Sequence, residues 1–144
     1  MAGEKKLSEV VIDASVVVKW FSEEEYSDKA VILRNNHITD TMLLIAPDLI
    51  LYEIANALRY TGKLKEKEIS DSVIDLTKLK LILITPDDEI IRKAVYHALK
   101  WDITVYDAWY IAIAEILGIK LITADDKLYN KTKDSGLLIA LSTI

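Results

Sequence analysis

Val10-Val11-Ile12-Asp13-Ala14-Ser15-Val16-Val17-Val18-Lys19-Trp20 reads as a short β-branched strand, an acidic turn and the start of a helix. The same pattern recurs downstream and sets the fold class. Residues 42–46 form a second apolar strand closed by Pro47-Asp48, residues 81–84 a third stopped by Thr85-Pro86, residues 121–122 a fourth, and residues 137–141 a fifth. Helical patterns lie between them, over residues 24–36, 48–60 and 66–80, and from Asp87 or Asp88 to about Trp101. Thr104-Val105-Tyr106-Asp107 has the spacing of a capping box for a helix over residues 108–117, which Gly118 closes. The 48–60 pattern is apolar except at Glu53, Asn56 and Arg59, which predicts burial on most sides. Strands alternating with helices at this spacing predict an α/β fold: a central parallel sheet of four to five strands, flanked by helices on both faces.

The chain has 144 residues, the size of one domain over 1–144 with a single core. With 51% hydrophobic residues, four Gly and two Pro, it reads as a compact, helix-rich globule. Cysteine is absent, which excludes disulfides, thiol nucleophiles and cysteine-ligated metals and makes a cytoplasmic protein the simple expectation. No apolar run approaches the ~20 residues that span a bilayer, so no membrane association is expected. The net charge of -5 weighs against a nucleic-acid partner. A local basic stretch of Arg59, Lys63, Lys65 and Lys67 offsets it, as does any gathering of the acids at a metal.

Asp13, Glu53, Asp107 and Asp125 stand where an apolar segment ends or inside a helix that follows one. Singly, each has a plain structural reading: Asp13 as a helix cap, Asp107 as part of its capping box, Asp125 as a turn residue, Glu53 as part of a solvent stripe. Jointly they point to one site, because the crevice beyond the carboxyl ends of parallel strands is where such sheets bind ligands. Ionised carboxylates ~5 Å apart repel by about 3 kcal/mol at an effective dielectric near 20, so the cluster must hold protons or a cation. An all-oxygen donor set suits Mg2+ or Mn2+ and, with them, phosphate chemistry. His37 and His97 lack metal-ligand spacing, and Trp20, Phe21, Trp101 and Trp109 read as core or interface aromatics.

Four segments then carry a family resemblance: Val11-Ile-Asp13-Ala-Ser15 through Trp20, Glu53-Ile-Ala-Asn56-Ala-Leu58, Tyr106-Asp107-Ala-Trp-Tyr-Ile-Ala-Ile-Ala-Glu115, and Leu121-Ile-Thr123-Ala-Asp125. In this order they resemble the PIN-domain ribonucleases, specifically the VapC toxins of toxin–antitoxin pairs, over about residues 10–139. The resemblance implies a single PIN domain after an amino-terminal extension of residues 1–9. It further implies that Asp13, Glu53, Asp107 and Asp125 hold one or two Mg2+ or Mn2+ ions, with Ser15, Asn56 and Thr123 supporting them. Asp126 departs from the usual pattern and shares the ligand claim of Asp125. The implied activity is endoribonuclease hydrolysis by metal-activated water, leaving a 5′-phosphate and a 3′-hydroxyl. Implied partners are RNA, a cognate antitoxin protein and a second copy in a homodimer.

Two other readings share the fold: a PIN nuclease with a housekeeping role in RNA processing, and a catalytically idle PIN interaction module. Other acidic-site α/β families fit less well. A haloacid-dehalogenase phosphatase wants Asp-x-Asp where position 15 is Ser, a response-regulator receiver wants paired acids near its first strand, and no Gly-rich phosphate loop is present.

Overall fold

A computed structural model describes residues 7–144. In chain order the elements are β1 (Ser8–Ile12), α1 (Ala14–Val17), α2 (Ser27–Ile38), β2 (Met42–Pro47), α3 (Leu49–Tyr60) and α4 (Glu66–Lys78), then β3 (Ile82–Ile84), α5 (Asp88–Trp101), α6 (Val105–Leu117), β4 (Lys120–Thr123), α7 (Asp126–Thr132) and β5 (Leu138–Ala140). Residues 1–6 of the expected extension lie outside the described residues, and Ser8 and Glu9 already pair with Met42 and Leu43 in the sheet.

The five strands run in the order β3-β2-β1-β4-β5, and every neighbouring pair is parallel. Helices cover the central strands, so Val11, Ile12, Leu44, Ile45, Leu121 and Ile122 are all buried. That is why these strands read as unbroken apolar runs rather than alternating ones. The chain builds outward from β1 through β2 to β3, then crosses back through α5 and α6 to place β4 on the other side of β1. The connections leaving β1 and β4 diverge there, which makes the carboxyl ends of these two strands the switch point of the sheet.

Local chemistry sets the element boundaries. Asp87 caps α5 by accepting from the Ile90 amide at 2.9 Å, and Thr104 caps α6 by accepting from the Asp107 amide at 3.0 Å. α6 therefore starts at Val105, three residues before the predicted start, and carries Asp107 within its first turn. Gly118, at φ 67°, ends it in the left-handed region and turns the chain into β4. α2 starts at Ser27, later than predicted, because residues 24–26 form a turn. In that turn the Ser27 hydroxyl accepts from the Glu24 amide, and Tyr26 takes a left-handed φ of 65°. The expectation that α3 is buried on most sides is corrected: only Ile50, Ile54 and Leu58 are buried, while Tyr52 and Tyr60 are exposed. One neighbouring layer covers a helix along a single stripe, whatever the hydrophobicity of its other faces. Among the described residues, no helix is long and apolar enough to cross a membrane.

Candidate active site

Asp13 follows β1 directly and caps α1, so its carboxylate lies at the switch point. Its Oδ1 accepts from the Ser15 amide at 3.1 Å and from the Ser15 hydroxyl, and its Oδ2 accepts from the Thr123 hydroxyl at 2.6 Å. Register explains the second contact: Ile12 pairs with Ile122, so Asp13 and Thr123 are the next residues out on adjacent strands. Both hydroxyls are held in turn by the β4–α7 connection, since the Ser15 Oγ accepts from the Ala124 amide at 2.8 Å and the Thr123 Oγ1 from the Asp125 amide at 3.1 Å. The network ties two strand ends together around one buried carboxylate.

Glu53, on α3, accepts at Oε1 from the buried Tyr110 hydroxyl at 2.6 Å. Asp107 stands in the first turn of α6, three residues before Tyr110 and on the same helical face. Asp125 follows β4 and caps α7 by accepting from the Leu128 amide at 3.0 Å. Asp13, Ser15, Glu53, Asp107, Tyr110 and Asp125 together line a cavity of about 150 Å3.

The electrostatics of the cavity match its crowding. Burial pushes Asp13 up to about 6, the hydrogen bonds from Ser15 and Thr123 pull the other way, and the charges of Asp107 and Asp125 raise it further. Glu53 is raised by burial against the opposing Tyr110 bond, with Asp107 adding to the rise. Asp107 is raised by burial and then by Asp125. Burial, followed by the Glu53 charge, drives Tyr110 far above the usual phenol range, so it stays a hydrogen-bond donor. The site holds more negative charge than it can ionise comfortably by itself.

Among the described residues, no three His, Cys, Asp or Glu side chains stand close enough to form a ready-made metal cage. The carboxylates face a common space instead, as an all-oxygen set with room for water. That arrangement fits Mg2+ or Mn2+, since magnesium is commonly held through one or two carboxylates and keeps several of its waters.

The model of the PIN domain matches residues 10–134. The chain belongs to the PIN-domain family. Within it, the chain is 35% identical over 126 residues to Ribonuclease VapC3 of Pyrobaculum aerophilum, covering 85% of this chain and 93% of that protein. It is 36% identical over 89 residues to Exonuclease VapC9 of the same organism, covering 59% of this chain and 64% of the other. Among solved structures, PAE2754 of P. aerophilum superposes with a TM-score of 0.63 at 25% identity, covering 96% of this chain and 94% of that one. VapC20 of Mycobacterium tuberculosis, described as a toxin that cleaves the sarcin–ricin loop, shares the fold at a TM-score of 0.66 and 12% identity, covering 89% and 95%.

The PIN fold does not bring every predicted site residue to the cavity. Asn56 is exposed on α3 and outside the cavity lining, as is Asp126, the first residue of α7. His37 is buried between the Leu44 amide, which donates to its Nδ1 at 3.1 Å, and the Leu79 carbonyl, which its Nε2 reaches at 2.9 Å. His97 is clamped between the Trp101 indole and Glu115, whose carboxyl this contact holds below the usual range. Neither histidine lines the cavity. The basic stretch lies at the α3–α4 junction, where Lys67 pairs with Asp71. Sequence reasoning missed Tyr110. Its signal was available: a phenol in an otherwise apolar helix, three residues after an acid that the pattern had marked.

Proposed function

We propose that this protein is a divalent-metal-dependent endoribonuclease of the VapC type, the toxin partner of a toxin–antitoxin pair. One observation carries the reading: four carboxylates from four separate segments line one cavity at the switch point of the sheet. The similarity to Ribonuclease VapC3 supports RNA as the substrate. When bound, Mg2+ or Mn2+ supplies an acidified water and neutralises charge on the phosphoryl oxygens. Asp13 is the fixed point of the site. Its Oδ1 is saturated by Ser15, while Oδ2 accepts one bond from Thr123 and keeps a lone pair for the cavity. Tyr110 holds one oxygen of Glu53 and leaves the other for ligation or water. Asp107 and Asp125 stand on α6 and before α7, at the edge shared with the adjoining groove.

The toxin reading brings a cognate antitoxin, cytoplasmic action and a homodimer. A partner surface is supported by the exposed apolar row Ile91, Val95 and Leu99 on α5, with Tyr96 beside it. The test is incubation of total RNA with Mg2+ or Mn2+, comparing the wild type with Asp13→Asn and mapping the ends. Internal cuts with 5′-phosphate and 3′-hydroxyl ends, absent from the variant, are expected. Release of single nucleotides from an end would instead place this chain with its exonuclease relative, and equal cleavage by Asp13→Asn would remove the site assignment.

A further inference from the structure

Beside the carboxylate cavity lies a larger groove of about 620 Å3, bounded by the turn at residues 102–104 and by α7. The two spaces are contiguous, because Asp107 and Asp125 line both. Lys127 and Lys131 also line the groove, four residues apart and therefore on one face of α7. Lys131 is anchored by donating to the Asp102 carbonyl at 2.8 Å. Lys127 has no hydrogen-bond or ion-pair partner among the described residues, although the acids outnumber the bases in this chain by 23 to 18. Ile103 and Leu128 add an apolar portion to the lining.

We propose that this groove seats the nucleotide next to the scissile bond, with Lys127 and Lys131 binding its phosphodiester. The assignment rests on the ribonuclease reading above and extends it to substrate positioning. A strand whose scissile phosphate sits among the carboxylates must continue somewhere, and the groove is the adjoining space. Asp107 and Asp125 line it where a cation would neutralise them, whereas Lys127 has no partner among the described residues and Lys131 stands 3.9 Å from the exposed Asp102 carboxylate, so both ammonium groups can supply the counter-charge that a bare phosphate needs. The groove volume falls within the ~300–1,000 Å3 usual for small-ligand sites, enough for one nucleotide rather than a duplex.

The experiment measures binding and cleavage of a short single-stranded RNA by wild type, Lys127→Ala, Lys131→Ala and the double variant, with Lys78→Ala, exposed at the end of α4, as a control outside the groove. Removing both groove lysines should lower the slope of log affinity against log salt by about 0.7, as expected for one phosphate contact on a single strand, with each single variant giving part of that change. KM should rise with kcat nearly unchanged, and Lys127→Arg should restore it. A substrate carrying an uncharged methylphosphonate beside the cleavage site should abolish the difference between wild type and the double variant. An unchanged slope, an equal loss in Lys78→Ala, or a persisting difference on the methylphosphonate substrate would overturn the proposal. Failure of the ribonuclease reading is distinguishable: wild type would then cut no RNA, whatever the binding slopes of the lysine variants.

Discussion

At the scale of single residues, Asp13 carries the clearest energetic signature. Its folded pKa of about 6 stands above the ordinary 3.8, so the folded state keeps a proton that the unfolded chain has already released. Its contribution to stability is therefore full below pH ~4 and is lost as pH rises through about 6, a change of about 3 kcal/mol. In metal-free buffer, the stability of Asp13→Asn relative to wild type should rise across that window, as read from urea unfolding at a series of pH values. A flat difference would mean that the carboxylate is not penalised by its surroundings. Tyr110→Phe tests the neighbouring contact. Losing the 2.6 Å bond to Glu53 should cost about 1.5 kcal/mol of stability and lower kcat for RNA cleavage with KM unchanged. Wild-type kcat in that variant would show that Glu53 needs no positioning. Asp13 was legible in the sequence through the joint pattern of four acids at or after apolar segments, since singly it reads as a helix cap. Tyr110 was not, because an aromatic in an apolar helix reads as core until its partner across the fold is known.

At the scale of elements, the capping and catalytic readings of the acids turn out to be compatible. Asp13 and Asp125 cap α1 and α7 while lining the cavity, and Asp107 occupies the first turn of the helix that Thr104 caps. The two roles can be separated by substitution. Asn caps about as well as Asp, whereas Ala in a cap position costs about 1 kcal/mol. Asp125→Asn should therefore keep its melting temperature and lose RNA cleavage, while Asp125→Ala should lose both. Asp126→Asn, exposed and outside the cavity, should keep both. Cleavage surviving in Asp125→Asn but not in Asp126→Asn would transfer the ligand role to Asp126. The boundaries least legible in the sequence were the starts of α2 and α6. A turn held by Ser27 delayed one, and a cap at Thr104 advanced the other.

At the scale of the whole molecule, the proposed metal site would couple cation binding to folding. The unfolded chain cannot gather Asp13, Glu53, Asp107 and Asp125, so a cation that binds only the folded state must raise the melting temperature by mass action. At a Mn2+ concentration 100-fold above the dissociation constant the gain is about 2.7 kcal/mol. Thermal unfolding should shift upward with millimolar Mn2+ in wild type and much less in Asp13→Asn. No shift at any concentration would mean that the carboxylates hold no cation. By itself, the sequence determined the α/β class, the five strands and the acids that end up together, because apolar run length, strand–helix alternation and strand-terminal acids are local signals. The tertiary structure alone decided which face of α3 is buried, that Tyr110 holds Glu53, that Asp125 rather than Asp126 lines the cavity, and that two lysines border a groove beside it. Those outcomes depend on the crossing from β3 to β4 and on the register of β1 against β4. Both arise from the packing of segments distant in sequence, β1 and β4 being more than a hundred residues apart, which no local pattern encodes.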